Sequence, residues 1–349
     1  MAARKFLIAF AVVACAGLLA VATVNYAVDV NGIYHTRDLQ KYVAEYARRM
    51  IASPFGVNQI TYERAVKIEL ARVQVADCYV TGSSKEMGIA LDRAPALKTS
   101  CSSLVNLGES GGSYEDAVTL LAIVARRQAK SAFVGIGPWF LRFNADKRWM
   151  EFASEYQTAR TYFGLKPVGN SISGEKGMNL VNGAYLARNV EFLVRGGGNK
   201  LPPIVDALAD GSNLAAADAI YRPDGSLTYS REFLANAKVQ DVVECRDYRV
   251  QRPATDEAVI REFAQVLQEM RARGVNVTLL LMPFHPGVFR CPGLTVPATV
   301  EAERAIREIS AKLAIPVVGS YRPEVFRLQA ADFYDFMHVR TESLGKIFR

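Results

Sequence analysis

Residues 79–87 read YVTGSSKEM, and the fold turns on this stretch. Tyr79 and Val80 are an apolar pair inside a strand expected over 77–82. The chain then turns through Gly82, Ser83 and Ser84 into charge. A short apolar strand without polar alternation is buried on both faces, as in a parallel sheet covered by helices. The glycine-serine turn then falls at the carboxyl end of that strand, where open parallel sheets bind their ligands. Two readings of Ser84 compete there. Ser is a favoured helix cap, and a helix is expected over 84–92. Ser is also a nucleophile when a base reaches it.

The same pattern recurs outward from this point. Strands are expected at 77–82, 103–107, 131–136, 275–282 and 315–318, and helices at 84–92, 113–128, 256–273 and 299–313. This alternation predicts an α/β fold, three layers α/β/α around a five-stranded, mostly parallel sheet. Amphipathic helices are expected earlier, at 37–52 and 59–76. Ala65, Ile68, Leu70 and Val73 fall on one side of the second. Residues from about 140 to 255 break the rhythm and read as an insertion near the working edge of the sheet. It holds a helix-like piece at 179–195, the loop RGGGNK and the sequence RPDGSLTYS. PDG is a turn signal that sets 220–221 against 227–229 as a hairpin. Such an insertion either shapes substrate access or acts as a stabilising flap.

The N-terminus adds an anchor. Arg4 and Lys5 precede an uncharged apolar run over 6–24, long enough as a helix to cross a hydrocarbon core of roughly 30 Å. Basic residues before the run and none just after it put the N-terminus in the cytoplasm and the bulk of the chain outside. Cleavage as a signal peptide, or as a lipoprotein at Cys15, is the alternative. The expected organisation is an anchor over 1–27, a helical linker over 28–76 and a domain over 77–349. The net charge of +7 permits affinity for anionic lipid. The positive charges fall in short pairs such as Arg48-Arg49 and Arg126-Arg127, so no nucleic-acid partner is expected. Cys78, Cys101, Cys245 and Cys291 can pair in three ways. Cys78 and Cys101 each begin an expected strand, which favours Cys78–Cys101 and leaves Cys245–Cys291. No C-x-x-C spacing supports a metal site, and no cofactor is expected. GNSISGEKG at 169–177 fails as a phosphate loop because Glu175 stands where lysine is required.

The loops at the strand ends supply the material for a site. Gly82-Ser83-Ser84 comes after the first strand, NLGESGGSYED after the second, GIGPWFLRFN after the third, PFHPG after the fourth and ADFYDFMHVR after the last. Of three histidines, His35 lies in a segment with no other catalytic type. His285 and His338 remain for base work. Asp335 precedes His338 by three residues and can hold its imidazole while the other nitrogen faces Ser84, the logic of a Ser-His-Asp triad. Gly111 offers an unobstructed N–H to an oxyanion.

In this order, G-x-S, N-x-x-x-x-G and D-x-x-H, the chain resembles the SGNH (GDSL-type) hydrolase superfamily. The likeness is to its exported, membrane-anchored branch in bacterial polysaccharide O-acetylation and D-alanyl transfer. The resemblance covers 77–349 without the insertion. It implies Ser84 as nucleophile, His338 as base, Asp335 as its orienter, and the N–H groups of Ser84 and Gly111 as oxyanion donors. The third block, usually G-x-N-D, reads Gly135-Ile136-Gly137-Pro138. Gly137 thus replaces the asparagine, and a backbone N–H near Gly137 or the Trp139 indole is left as donor. Trp139 and His285 are the expected substrate-lining residues. The implied function is O-acyl, above all O-acetyl, transfer or hydrolysis on an extracellular or cell-wall polysaccharide, in the periplasm and with no metal. A separate membrane protein would supply the acyl donor. The alternatives are an inactive scaffold or polysaccharide-binding subunit, and a secreted lipid or ester hydrolase.

Overall fold

A computed structural model describes residues 2–29, 34, 36–53, 57–146, 148–168, 175–194, 204–205, 219–229, 255–291 and 295–348. His35, Cys245, the loop RGGGNK and most of the GNSISGEKG stretch lie outside these residues.

Along the chain, α1 (Ala2–Val28), α2 (Thr36–Tyr46), β1 (Met50–Ser53) and α3 (Val57–Val73) precede β2 (Cys78–Gly82), β3 (Leu104–Gly108), α4 (Tyr114–Arg126) and β4 (Ser131–Gly135). Then come α5 (Ala153–Tyr162), α6 (Glu175–Leu180), α7 (Gly183–Val194), β5 (Ile204–Val205), β6 (Ala219–Tyr221) and β7 (Leu227–Tyr229). The chain closes with α8 (Glu257–Ala272), β8 (Asn276–Leu281), α9 (Thr295–Leu313) and β9 (Val317–Gly319).

The fold is α/β, with a five-stranded sheet in the order β3-β2-β4-β8-β9. Every neighbouring pair in it is parallel. All five positions of β2 and of β3 are buried, which is why these strands read as unbroken apolar runs. Alternate residues face two clusters. Tyr79, Val105, Val134 and Leu279 join a core built with α2, α3, α4, α5, α8 and α9. Val80, Leu104, Phe133 and Leu280 face a second cluster with Leu97, Leu328, Phe333, Leu344 and Phe348. This second layer is made of 3-10 turns, including Pro95–Thr99 and Thr341–Lys346.

Helix α4 starts at Ser113, whose side chain and that of Asp116 cap each other's backbone N–H. It buries Val118, Leu121 and Val124 against the sheet. Helix α8 buries Val259, Phe263, Val266, Leu267 and Met270, one stripe at helical spacing.

Several elements depart from expectation. The helix expected over 37–52 stops at Tyr46, and Met50–Ser53 is the central strand of a second, antiparallel sheet in the order β5-β1-β6-β7. Helices α2 and α3 pack into the main core through Leu39, Val43, Ile68 and Leu70, rather than standing apart as a linker. The segment 84–92 is a run of turns, not a helix. The β6–β7 hairpin forms as read, with Tyr221 opposite Leu227. Helix α5, inside the insertion, carried no clear sequence signal. Cys78 and Cys101 form a disulfide with Cα atoms 5.8 Å apart. Helix α1 is long and apolar enough to cross a membrane.

Candidate active site

The five strands deliver their carboxyl ends to one edge, and three loops meet there. Ser84 lies in the turn after β2, and its Oγ is 2.8 Å from His338 Nε2 across 254 residues of sequence. His338 Nδ1 is 2.6 Å from Asp335 Oδ2. The geometry is local on the acid side: Asp335 Oδ1 accepts the backbone N–H groups of both Met337 and His338, each at 2.8 Å. This Asx-type turn fixes the loop and leaves Oδ2 for the imidazole. Burial pushes the Asp335 carboxyl up, but the His338 hydrogen bond and charge, with those two N–H groups, hold it below its ordinary value. Asp335 is therefore ionised and fixes Nδ1 of His338 as the protonated nitrogen.

Ser84 caps no helix, so no helix dipole supports it. Other residues hold its turn instead. The Glu86 side chain lies where a Cβ on Gly82 or on Gly135 would fall, so both must be glycine. It fills the crevice between β2 and β4, where the strand order reverses. Its Oε2 accepts from Ser83 N at 2.6 Å and Ser83 Oγ at 3.0 Å. Lys85 runs the other way: its Nζ donates to Met282 O at 2.5 Å and sits 3.3 Å from the centre of the Phe284 ring. Burial drives the two in opposite senses, Lys85 down to about 7 and Glu86 up, and each one's charge offsets the other's shift. Asn106, fully buried, donates to Glu86 O and Ile89 O at 2.9 Å and accepts from Gly108 N at 2.8 Å. Asn106 thus braces the serine turn.

The glycine loop sits against this turn. Glu109 N donates to Gly82 O at 3.1 Å, and a Cβ on Gly112 would fall 2.2 Å from the same oxygen. Gly111 has φ +62° and lies against Arg148 and Asp146. Among the described residues, the N–H groups of Ser84 and Gly111 have no hydrogen-bond acceptor. Helix α3 supports the loop from behind. Glu63 Oε2 accepts from Ser110 N at 2.6 Å, and Arg64 pairs with Asp116 through Nε and Nη2. Lys67 Nζ donates to Asn106 O and Gly225 O, and burial lowers it to about 8. Sequence reasoning missed this polar seam because Glu63, Arg64 and Lys67 meet partners 39 to 52 residues away and carry no motif of their own.

The two expected substrate contacts are placed differently. His285 is buried at 1 % exposure, its Nδ1 accepts from Gly287 N, and its ring packs edge-on to Phe333. It caps a 3-10 turn and does not reach the surface. Trp139 is half-buried. Its ring covers Gly137, which explains why a side chain is excluded at 137, and its indole N–H donates to Gly112 O at 3.2 Å. That N–H is engaged, so the indole is not the missing oxyanion donor. Asn144 is engaged as well: its N–H donates to Glu115 and its side chain accepts from Trp149. The residues found beside the triad instead are Tyr229 on β7 and Tyr334, with ring centres 4.9 Å apart. Burial, then the nearby Asp335 charge, raises the Tyr229 phenol.

Among the described residues no cluster of histidine, cysteine and carboxylate side chains suits a metal ion. No family model and no curated protein matches this chain.

Proposed function

We propose that this chain is an SGNH-type serine O-acyltransferase or esterase. It is anchored in the bacterial inner membrane with its domain in the periplasm and acts on a polysaccharide. The observation that carries this reading is the Ser84–His338–Asp335 chain of hydrogen bonds at 2.8 and 2.6 Å, at the carboxyl edge of a parallel sheet.

In this reading Ser84 Oγ attacks the acyl carbonyl carbon while His338 Nε2 takes the hydroxyl proton. The N–H groups of Ser84 and Gly111 stabilise the oxyanion. Collapse breaks the bond to the leaving alcohol, which receives the proton from His338 and leaves an acyl ester on Ser84. A sugar hydroxyl or water, deprotonated by His338, then releases the acyl group. The first acceptor makes the chain a transferase, the second an esterase. The Tyr229 and Tyr334 rings supply the aromatic surface on which a sugar stacks. The acyl donor reaches the site through a separate membrane protein, because one span forms no carrier pathway. A scaffold reading draws on the absent third-block asparagine, which removes one donor of a type worth about 10²–10³ in rate.

The test is p-nitrophenyl acetate turnover by the full chain, with intact mass to detect an acetyl adduct, beside Ser84→Ala. We expect an adduct in the native protein only, and a fall of about 10⁴-fold in the variant. A folded native protein with neither adduct nor turnover, on this ester and on acetylated glycans, favours the scaffold.

A further inference from the structure

The α6–α7 hairpin meets α1 where that helix ends. Asn25 of α1, fully buried, donates its Nδ2 to Asn179 O and Leu180 O at 3.0 and 2.8 Å, and its Oδ1 accepts from Asn189 of α7 at 3.0 Å. Asp29 accepts from the Tyr185 hydroxyl at 2.8 Å. Val24 and Val28 pack with Tyr185 and Phe192. The inner stripe of α7 is thus Tyr185, Asn189 and Phe192, spaced four and three residues apart.

Helix α7 has a second apolar stripe, exposed except at the half-buried Leu186. Leu186, Val190, Leu193 and Val194 run along the side facing away from α1's contact stripe. Val190, Leu193 and Val194 are 44 %, 49 % and 79 % exposed, and Met178 and Val181 at the end of α6 add 63 % and 42 %. Arg188 and Glu191 are confined to a third side. A helix buried on one apolar stripe needs no second one in water, so the second stripe calls for an apolar neighbour.

We propose that the α6–α7 hairpin lies in the membrane interface, with Met178, Val181, Val190, Leu193 and Val194 in the outer leaflet beside the α1 span. The inference rests on the reading that α1 crosses the bilayer. Three observations select lipid as the occupant. The stripe adjoins the C-terminal end of α1, whose lipid-facing residues Phe10, Val13 and Leu19 are 64 %, 71 % and 69 % exposed. Tyr26, 53 % exposed, packs at a tilt against Tyr34, with ring centres 5.5 Å apart, just past the apolar run, the place where aromatic rings mark the membrane surface. The buried polar set of Asn25, Asp29, Tyr185 and Asn189 fixes the hairpin to the span end. The exposed stripe is therefore held at headgroup depth, where an interfacial helix buries its apolar side by about 5–10 Å. The hairpin then fixes how the domain, and its triad, stands over the bilayer.

The test places tryptophan in the full chain, reconstituted in phosphatidylcholine vesicles with or without bromine on the acyl chains near the carbonyl end. Native Trp139 and Trp149 give the baseline. The expected result is that Val190→Trp and Leu193→Trp each add emission that brominated lipid quenches about twofold, with Arg188→Trp close to unquenched. Val13→Trp reads the span itself. Quenching at 13 without quenching at 190 and 193 overturns the proposal and leaves the span. No quenching at any of the three overturns both. Emission at 190 and 193 that is shielded from aqueous iodide but untouched by brominated lipid means a protein neighbour, a second copy or a partner, and also overturns it.

Discussion

The two sheets of this protein are built on opposite terms. The five-stranded sheet consists of parallel strands, the central ones buried on both faces, covered by helices on one side and by 3-10 turns on the other. The four-stranded sheet takes β1 from before the domain's first motif and β5, β6 and β7 from more than 140 residues later. The first carries Ser84 and the glycine loop at its carboxyl edge. The second reaches that edge through the β6–β7 hairpin, its tip and strand β7. Asp224 O accepts from Asn106 N at 2.7 Å there, and Leu227 N donates to Met87 O at 2.8 Å. Arg93 Nη1 donates to Leu227 O as well. A parallel sheet supplies the position of Ser84, and a distant hairpin supplies polar contacts that keep its turn in shape.

This division of labour is broken most severely at Asn106. Asn106→Ala unpairs the carbonyls of Glu86 and Ile89 and the N–H of Gly108 in a buried place. At about 1–3 kcal/mol per buried orphan, partly relieved by relaxation, the expected loss is about 3–5 kcal/mol. A thermal melt checks it, with a fall of roughly 10 °C. A loss below about 1 kcal/mol would mean that the turn does not depend on this brace.

The hairpin tip is the second place. Gly225 has φ +82°, and a Cβ there would fall 2.2 Å from Asn106 O. Gly225→Ala is expected to cost about 2–3 kcal/mol, from the left-handed backbone and the forced undocking of the tip. Ester turnover should fall with it by about tenfold, because the Ser84 turn loses its outer support. Unchanged turnover in a destabilised variant would reduce the hairpin to a flap without influence on the site.

The smallest effect sharpens the parallel side. Burial pushes Glu115 of α4 up to about 7 from 4.5, against the Asn144 N–H that it accepts at 2.6 Å. The folded protein therefore holds a proton that the unfolded chain releases. The stability that Glu115 contributes is full below about 4.5, shrinks as pH rises and is lost above about 7. Glu115→Gln keeps an acceptor for Asn144 N and removes the charge. It should add about 1–2 kcal/mol at pH 8 and almost nothing at pH 4, read from urea unfolding at the two pH values. An equal effect at both would assign the change to packing.

How much of this was legible differs in the same way between the two sheets. The five parallel strands were readable within two residues; for β2 and β3 the reason is that burial on both faces leaves an unbroken run with no polar alternation. D-x-x-H was readable because Asp335 and His338 complete their geometry within one turn. The serine turn reads as a helix in sequence and is not one. Gly88 interrupts the segment, and the buried Lys85 and Glu86 side chains bond to the sheet and the turn rather than to a helix face. The strand at 50–53 was invisible because four residues with no alternation acquire their identity only from the partners they meet. His285 looked available because few histidines exist, and only packing shows it capped and buried.

The sequence by itself determined the α/β class, the apolar N-terminal helix, the Cys78–Cys101 pairing and the order of the site motifs. Each of these is set by local composition or by strand spacing. Tertiary structure decided that Ser84 and His338 meet, that Glu63, Arg64 and Lys67 of α3 stand behind the glycine loop, and that the Trp139 indole N–H reaches Gly112 O. These are contacts between residues far apart in the chain, fixed by how the sheet stacks its carboxyl ends and by which buried polar groups find partners there. No local pattern records them.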